Sequence, residues 1–112
     1  MVLKKISLRS NLPDHLATEI MYEIAAARAD GAELIRIETS TDEEGSSVHK
    51  KIYSSLIRLL KGMKDDGRIQ FFATKNNFDS LSTEAVFLQN KYPAHFESNG
   101  SAENQDYVYI KL

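Results

Sequence analysis

Apolar residues recur along this chain with two periods, and each stretch of constant period predicts an element. From Val2 to Arg9 the apolar Leu3, Ile6 and Leu8 alternate imperfectly, which predicts an opening strand. Ser10-Asn11-Leu12-Pro13-Asp14 breaks that pattern and starts a helix, since Pro13 suits a first turn and Asp14 favours the positive end of the helix dipole. Leu16, Ile20, Ile24 and Ala27 then form a narrow apolar stripe, stopped by Asp30-Gly31. Leu34-Ile35-Arg36-Ile37 reads as a short strand, and a polar loop from Thr39 to Ser46 follows it. Ser46 or Ser47 can cap the next helix, whose face is marked by Val48, Ile52, Leu56, Leu59 and Met63. Gly67 ends that helix, and Arg68-Ile69-Gln70-Phe71-Phe72 resumes as a strand.

The second strand, second helix and third strand read as a βαβ crossover, which implies a right-handed connection and parallel neighbours. Beyond it, Ala73 to Asn77 is turn chemistry. Ser82 to Lys91 suggests a short third helix stopped before Pro93, with a structured loop or a single turn as alternatives. Glu97 to Gln105 is a polar loop, and Asp106 to Leu112 closes the chain as a strand. The order βαβαβ(α)β predicts an α/β two-layer sandwich: four mixed strands with the two main helices on one face.

Composition narrows the function classes. A chain of 112 residues suits one domain able to bury about 65% of its unfolded surface. It contains no cysteine, so disulfides and thiolate metal sites are excluded. No apolar run approaches the ~20 residues of a membrane span, and MVLKKISLR lacks the apolar core of a signal peptide, so the cytoplasm is the expected location. The net charge of −2 excludes a strongly basic chain and leaves room only for a local basic patch.

Several stretches together resemble the Smr (small MutS-related) domain, whose fold is similar to the C-terminal domain of bacterial translation initiation factor 3. They are IRI at 35–37, GSS at 45–47, the helix 48–64, DGRIQFF at 66–72, Asn77-Phe78, Tyr92-Pro93 and YVYIKL at 107–112. The likeness is closest to small stand-alone bacterial members and spans nearly the whole chain. It implies the fold and an association with DNA or RNA binding, nicking or cleavage. Both signature motifs depart from the family pattern. Where Smr domains carry Leu-Asp-Leu-His-Gly this chain has Ile6-Ser7-Leu8-Arg9-Ser10, and His-Gly-x-Gly falls on ETSTD at 38–42. The resemblance therefore implies fold and binding more strongly than nuclease activity.

The chemistry-bearing residues leave alternatives open. Glu38, Asp42, Glu43 and Glu44 form the densest acidic cluster, either a hard-cation site or a solvated loop favouring the helix that follows. His15, His49 and His95 show no metal-ligand spacing, and His49 lies beside the second motif without occupying its histidine position. The second helix carries Lys50, Lys51, Arg58, Lys61 and Lys64 with no acidic residue between Gly45 and Lys64. Lys61 and Lys64 suit the negative end of the dipole, and Lys61 can pair with Asp65 at i, i+4. Lys50 and Lys51 stand against the dipole and call for an anion. That anion is either the chain's own Asp42-Glu43-Glu44 or a phosphate at Gly45-Ser46-Ser47. Tyr107 and Tyr109 share one strand face, to stack on bases or to pack beneath a helix.

Two functions from different classes follow. One is a divergent Smr-like module that binds the nucleic-acid backbone through Arg9, Gly45, Ser46, Ser47, Lys50 and Lys51, with no cofactor, metal or catalytic residue. The other is a non-catalytic interaction domain for a protein partner. An active nuclease is the third case, in which Glu38, His49 or Arg9 would replace the missing histidines.

Overall fold

The computed structural model describes residues 2–7, 13–38, 47–96 and 107–112, and for 13–14 and 47–52 the backbone course alone. In chain order the elements are β1 (Leu3–Ser7), α1 (Pro13–Ala29), β2 (Leu34–Glu38), α2 (Ser47–Asp65) and β3 (Phe71–Thr74). After them come α3 (Lys75–Asp79), α4 (Thr83–Lys91), a 3₁₀ turn (Pro93–His95) and β4 (Tyr107–Lys111). This is an α/β fold built on one mixed, open four-stranded sheet, ordered β1-β2-β4-β3.

Two of the helix ends foreseen from glycine are realised. After α1, Gly31 has φ 79°, and the Ala32 N–H bonds the Ala27 carbonyl at 2.9 Å. After α2, Gly67 has φ 78°, and the Arg68 N–H bonds the Met63 carbonyl at 2.8 Å. Both are Schellman closures, in which a left-handed residue lets the chain turn back onto the last helical carbonyls.

The strand pairing corrects one expectation. β1 and β2 are parallel neighbours, but β2 and β3 are not neighbours at all, because β4 lies between them and pairs antiparallel with both. The reason is that β4 carries an almost unbroken run in which Val108, Tyr109 and Ile110 are all buried. A strand buried on both faces belongs inside a sheet, with a partner on either side. The edges go to β1, whose Lys4 pairs with Asp30 at 3.3 Å, and to the short β3. Charge and shortness both discourage sheet extension.

The first face is aliphatic. Leu16, Ile20, Ile24 and Ala27 of α1 join Leu56, Leu60 and Met63 of α2 over Ile35, Ile37, Val108 and Ile110. Ile37 and Ile69 are buried, and Ile69, read as part of the third strand, precedes β3 rather than lying within it. The inward centre of α2 is Leu60, while Leu59 is only partly buried at its flank. Steps of three and four residues fit either leucine, and packing chooses between them. Ile52 and Val48 have side chains outside the described residues.

The second face corrects the two-layer expectation. Leu34 and Tyr109 point away from α1 and α2, so their side of the sheet also needs cover. α3, α4 and the 3₁₀ turn supply it with Phe78, Ala85, Leu88, Tyr92 and Phe96. Residues 73–77, read as a turn, are the end of β3 and the start of α3. Thr74 serves both: its hydroxyl accepts from the Asn77 N–H at 3.3 Å, and its own N–H bonds the Asn77 side chain at 2.8 Å. The third helix foreseen at 82–91 is α4, capped by Ser82 and stopped before Pro93.

Candidate nucleic-acid interface

α2 must turn some residues outward because Leu56, Leu60 and Met63 turn in. At 100° per residue the outward arc falls on Ser54, Arg58, Lys61 and Asp65, with Lys64 near its edge, and all five are exposed. Tyr53 and Ile57 lie half-buried on the flank, packed against the first-face core. With Ser54, Arg58 and Lys61 they line a shallow, open depression of about 340 Å³. From Arg58 to Lys64 the three cations rise about 9 Å along the helix axis.

None of these cations forms an ion pair with a described residue. The ion pairs among the described residues are Lys4–Asp30 and Arg36–Glu38. The pair anticipated between Lys61 and Asp65 does not form, and hydration competes well with so exposed a contact. With three cations and one carboxylate, the arc and its edge therefore carry a net positive charge beside an aromatic and an aliphatic side chain. That combination suits a phosphate backbone.

The sequence-derived site can be placed only in part. Arg9, Gly45 and Ser46 lie outside the described residues, as does the acidic Asp42-Glu43-Glu44 stretch. Ser47 opens α2, and Lys50 and Lys51 lie in its first turns, with side chains outside the described residues; the same holds for His49. The strand ends are brought together: β1 and β2 run parallel, and Ser7 lies level with Glu38. The histidines are not. His15 is exposed on α1 and His95 on the 3₁₀ turn of the opposite layer. Among the described residues no group of three His, Asp or Glu side chains could hold a metal ion.

Reasoning from the sequence passed over Arg36, although a lone charge inside a four-residue apolar strand was the available signal. Its Nε donates to Glu38 Oε2 at 2.8 Å and its Nη1 donates to the Tyr109 hydroxyl at 2.7 Å. The guanidinium also lies 4.6 Å from the centre of the Tyr107 ring and 5.4 Å from that of Tyr109. Burial works most strongly against the charge, but the bonds to Tyr109 and Glu38 outweigh it and hold the Arg36 pKa above its ordinary value. The two tyrosines thus pack on the second face, Tyr109 buried and Tyr107 half-buried, as the helix-packing alternative required.

No helix among the described residues is long and apolar enough to cross a membrane. Compared with protein-family models, curated proteins and solved structures, the chain matches none of them.

Proposed function

We propose that this chain is a divergent Smr-like, cytoplasmic domain that binds DNA or RNA weakly through the phosphate backbone. The observation that carries the proposal is the exposed Arg58, Lys61 and Lys64 of α2, none of them ion-paired with a described carboxylate, which leave the face net positive although Asp65 shares it. Lys50 and Lys51, earlier on the same helix, extend the basic run in sequence to the Gly45-Ser46-Ser47 start. The mixed four-stranded sheet with α1 and α2 on one face supports the likeness to the C-terminal domain of initiation factor 3. Catalysis has no assigned residue, because Ser7, Arg9 and ETSTD replace the acidic, histidine and glycine positions of the Smr motifs.

Phosphate contacts release counterions, so affinity should fall linearly in log K against log salt, with little dependence on sequence. Binding to single- and double-stranded DNA and RNA across a salt series tests this. Replacing Arg58 and Lys61 together by Ala should reduce the slope by about two, one unit for each lost phosphate contact. The Lys50→Ala/Lys51→Ala variant should do the same. An unchanged slope in both variants removes α2 as the interface. If the wild type binds no nucleic acid at low salt, the protein-interaction reading takes its place. Its first residues to change are Leu81, Val86 and Phe87, apolar and exposed at 64%, 38% and 42%.

A further inference from the structure

We propose that Arg36, Lys5 and Ser7 form a second anion site, for a phosphate group, at the carboxyl ends of β1 and β2. It lies on the opposite side of the sheet from α1 and α2 and so does not depend on the α2 surface. The parallel register puts Lys5 level with Arg36 and Ser7 level with Glu38. Residues two apart in a strand share a face, so these four side chains share theirs with Tyr107 and Tyr109.

Two observations point to an anion. First, like charges on neighbouring strands at the same level repel, and Lys5 and Arg36 are such a pair. Glu38 offsets one of the two charges, and its Oε2 already accepts from Arg36 Nε. Lys5 has no ion pair with a described residue. Glu33, just before β2, accepts from the Tyr92 hydroxyl at 2.8 Å, and lies five residues from Glu38, about 16 Å away at the strand rise. Among the described residues, one positive charge is left over at this end of the face.

Second, the guanidinium is held in place before any ligand arrives. Glu38 takes Nε, the Tyr109 hydroxyl takes one Nη1 hydrogen, and Tyr107 lies against the plane. No described residue accepts from Nη2. A fixed planar fork loses little freedom when it binds phosphate oxygens, unlike a mobile surface arginine. The exposed Lys5 ammonium supplies the second charge and the Ser7 hydroxyl a donor. The carboxyl ends of parallel strands are also where open α/β sheets collect ligands.

The test is a titration of isotope-labelled protein with adenosine 5′-monophosphate and with adenosine at low salt, read from backbone amide shifts. The nucleotide should bind saturably and move the amides of Lys5 to Ser7 and Arg36 to Glu38, whereas adenosine should not. Inorganic phosphate should displace the nucleotide, since the phosphate is the shared group. Lys5→Glu, a change at an exposed position that should leave the fold intact, should weaken binding at least tenfold. Arg36→Lys should also lose about tenfold, because the charge remains and the fork does not. Arg58→Ala/Lys61→Ala should bind the nucleotide like the wild type. The site is refuted by equal shifts with adenosine, by failure of phosphate to compete, or by wild-type affinity in Lys5→Glu. Loss of binding in the α2 variant would equally refute it, by moving the phosphate to the other face.

Discussion

On one face of the sheet, helices of 17 and 19 residues lay leucine, isoleucine and methionine over the strands. On the other, helices of 5 and 9 residues and a 3₁₀ turn bring in rings instead. Phe78 stacks on Phe96 with ring centres 5.4 Å apart, and Phe96 reaches Tyr109 at 4.9 Å. The first face is held by many repeated small contacts along a helix. The second is held by a few large ones, which join residues distant in sequence and depend on local caps to aim them. Short helices cannot sustain themselves, so Thr74 with Asn77, and Ser82 with Ala85, fix their starts through side chains.

The comparison is broken most severely by emptying each core in turn. Phe78→Ala should cost about 3–5 kcal/mol and Leu56→Ala about 2–5 kcal/mol, both measured by chemical denaturation. Leu56 is fully buried and Phe78 is 8% exposed, so neither loss is recovered by contact with water. The sheet separates the two side chains, and the double variant should be additive within about 0.5 kcal/mol. Coupling above about 1 kcal/mol would mean that the two faces act as one core. A cost under about 1 kcal/mol at Leu56 would place the wrong side of α2 inward.

The same contrast explains what could be read from the sequence. The stripe of α1 and the glycine stops at Gly31 and Gly67 are written in local spacing, and the structure realises them as read. The place of β4 between β2 and β3 is a decision among distant segments, which the YVYIKL run hints at through burial on both faces. The second layer was legible as a helix at 82–91, but its side of the sheet was not, because α4 has no strong apolar stripe. Only Ala85 and Leu88 of α4 are buried, while the neighbouring Val86 and Phe87 are exposed. On the candidate interface, the basic face of α2 was legible from the lack of acids. Arg36 was not, since its partner Tyr109 lies 73 residues away.

A smaller effect tests how the second layer is tied to β2. The Tyr92 hydroxyl donates to Glu33 Oε1 at 2.8 Å across 59 residues. Tyr92→Phe should cost about 1–2 kcal/mol at neutral pH. Burial first, and then the Glu33 bond and charge, push the Tyr92 pKa up to about 12. An unfolded tyrosine titrates near 10, so the fold favours the protonated phenol. That contribution is complete below pH about 10 and is lost as pH rises toward about 12. Denaturation curves from pH 8 to 12 should show this alkaline loss in the wild type and a shallower one in Tyr92→Phe. Equal slopes would detach Tyr92 from the titration.

The smallest expected effect is a gain, at the junction between α3 and α4. Ser82 N–H bonds the Asn77 carbonyl at 2.9 Å and Leu81 N–H bonds that of Phe78 at 3.3 Å. This is the closure made at Gly31 and Gly67, but the left-handed position is held by Leu81, with φ 55°. A side chain there costs about 1–2 kcal/mol against the following carbonyl. Leu81 is 64% exposed, so it recovers little of that cost by burial. Leu81→Gly should remove the strain and return part of the gain through the greater freedom of unfolded glycine. The net expected stabilisation is about 0.5–1 kcal/mol, seen as a higher denaturation midpoint at unchanged slope. Leu81→Ala separates the causes, because alanine keeps the strain while losing the exposed leucine. If alanine stabilises as much as glycine, the backbone is not the source. If glycine destabilises, the exposed leucine makes contacts that outweigh its strained backbone, and the second face begins one residue earlier than its buried side chains suggest.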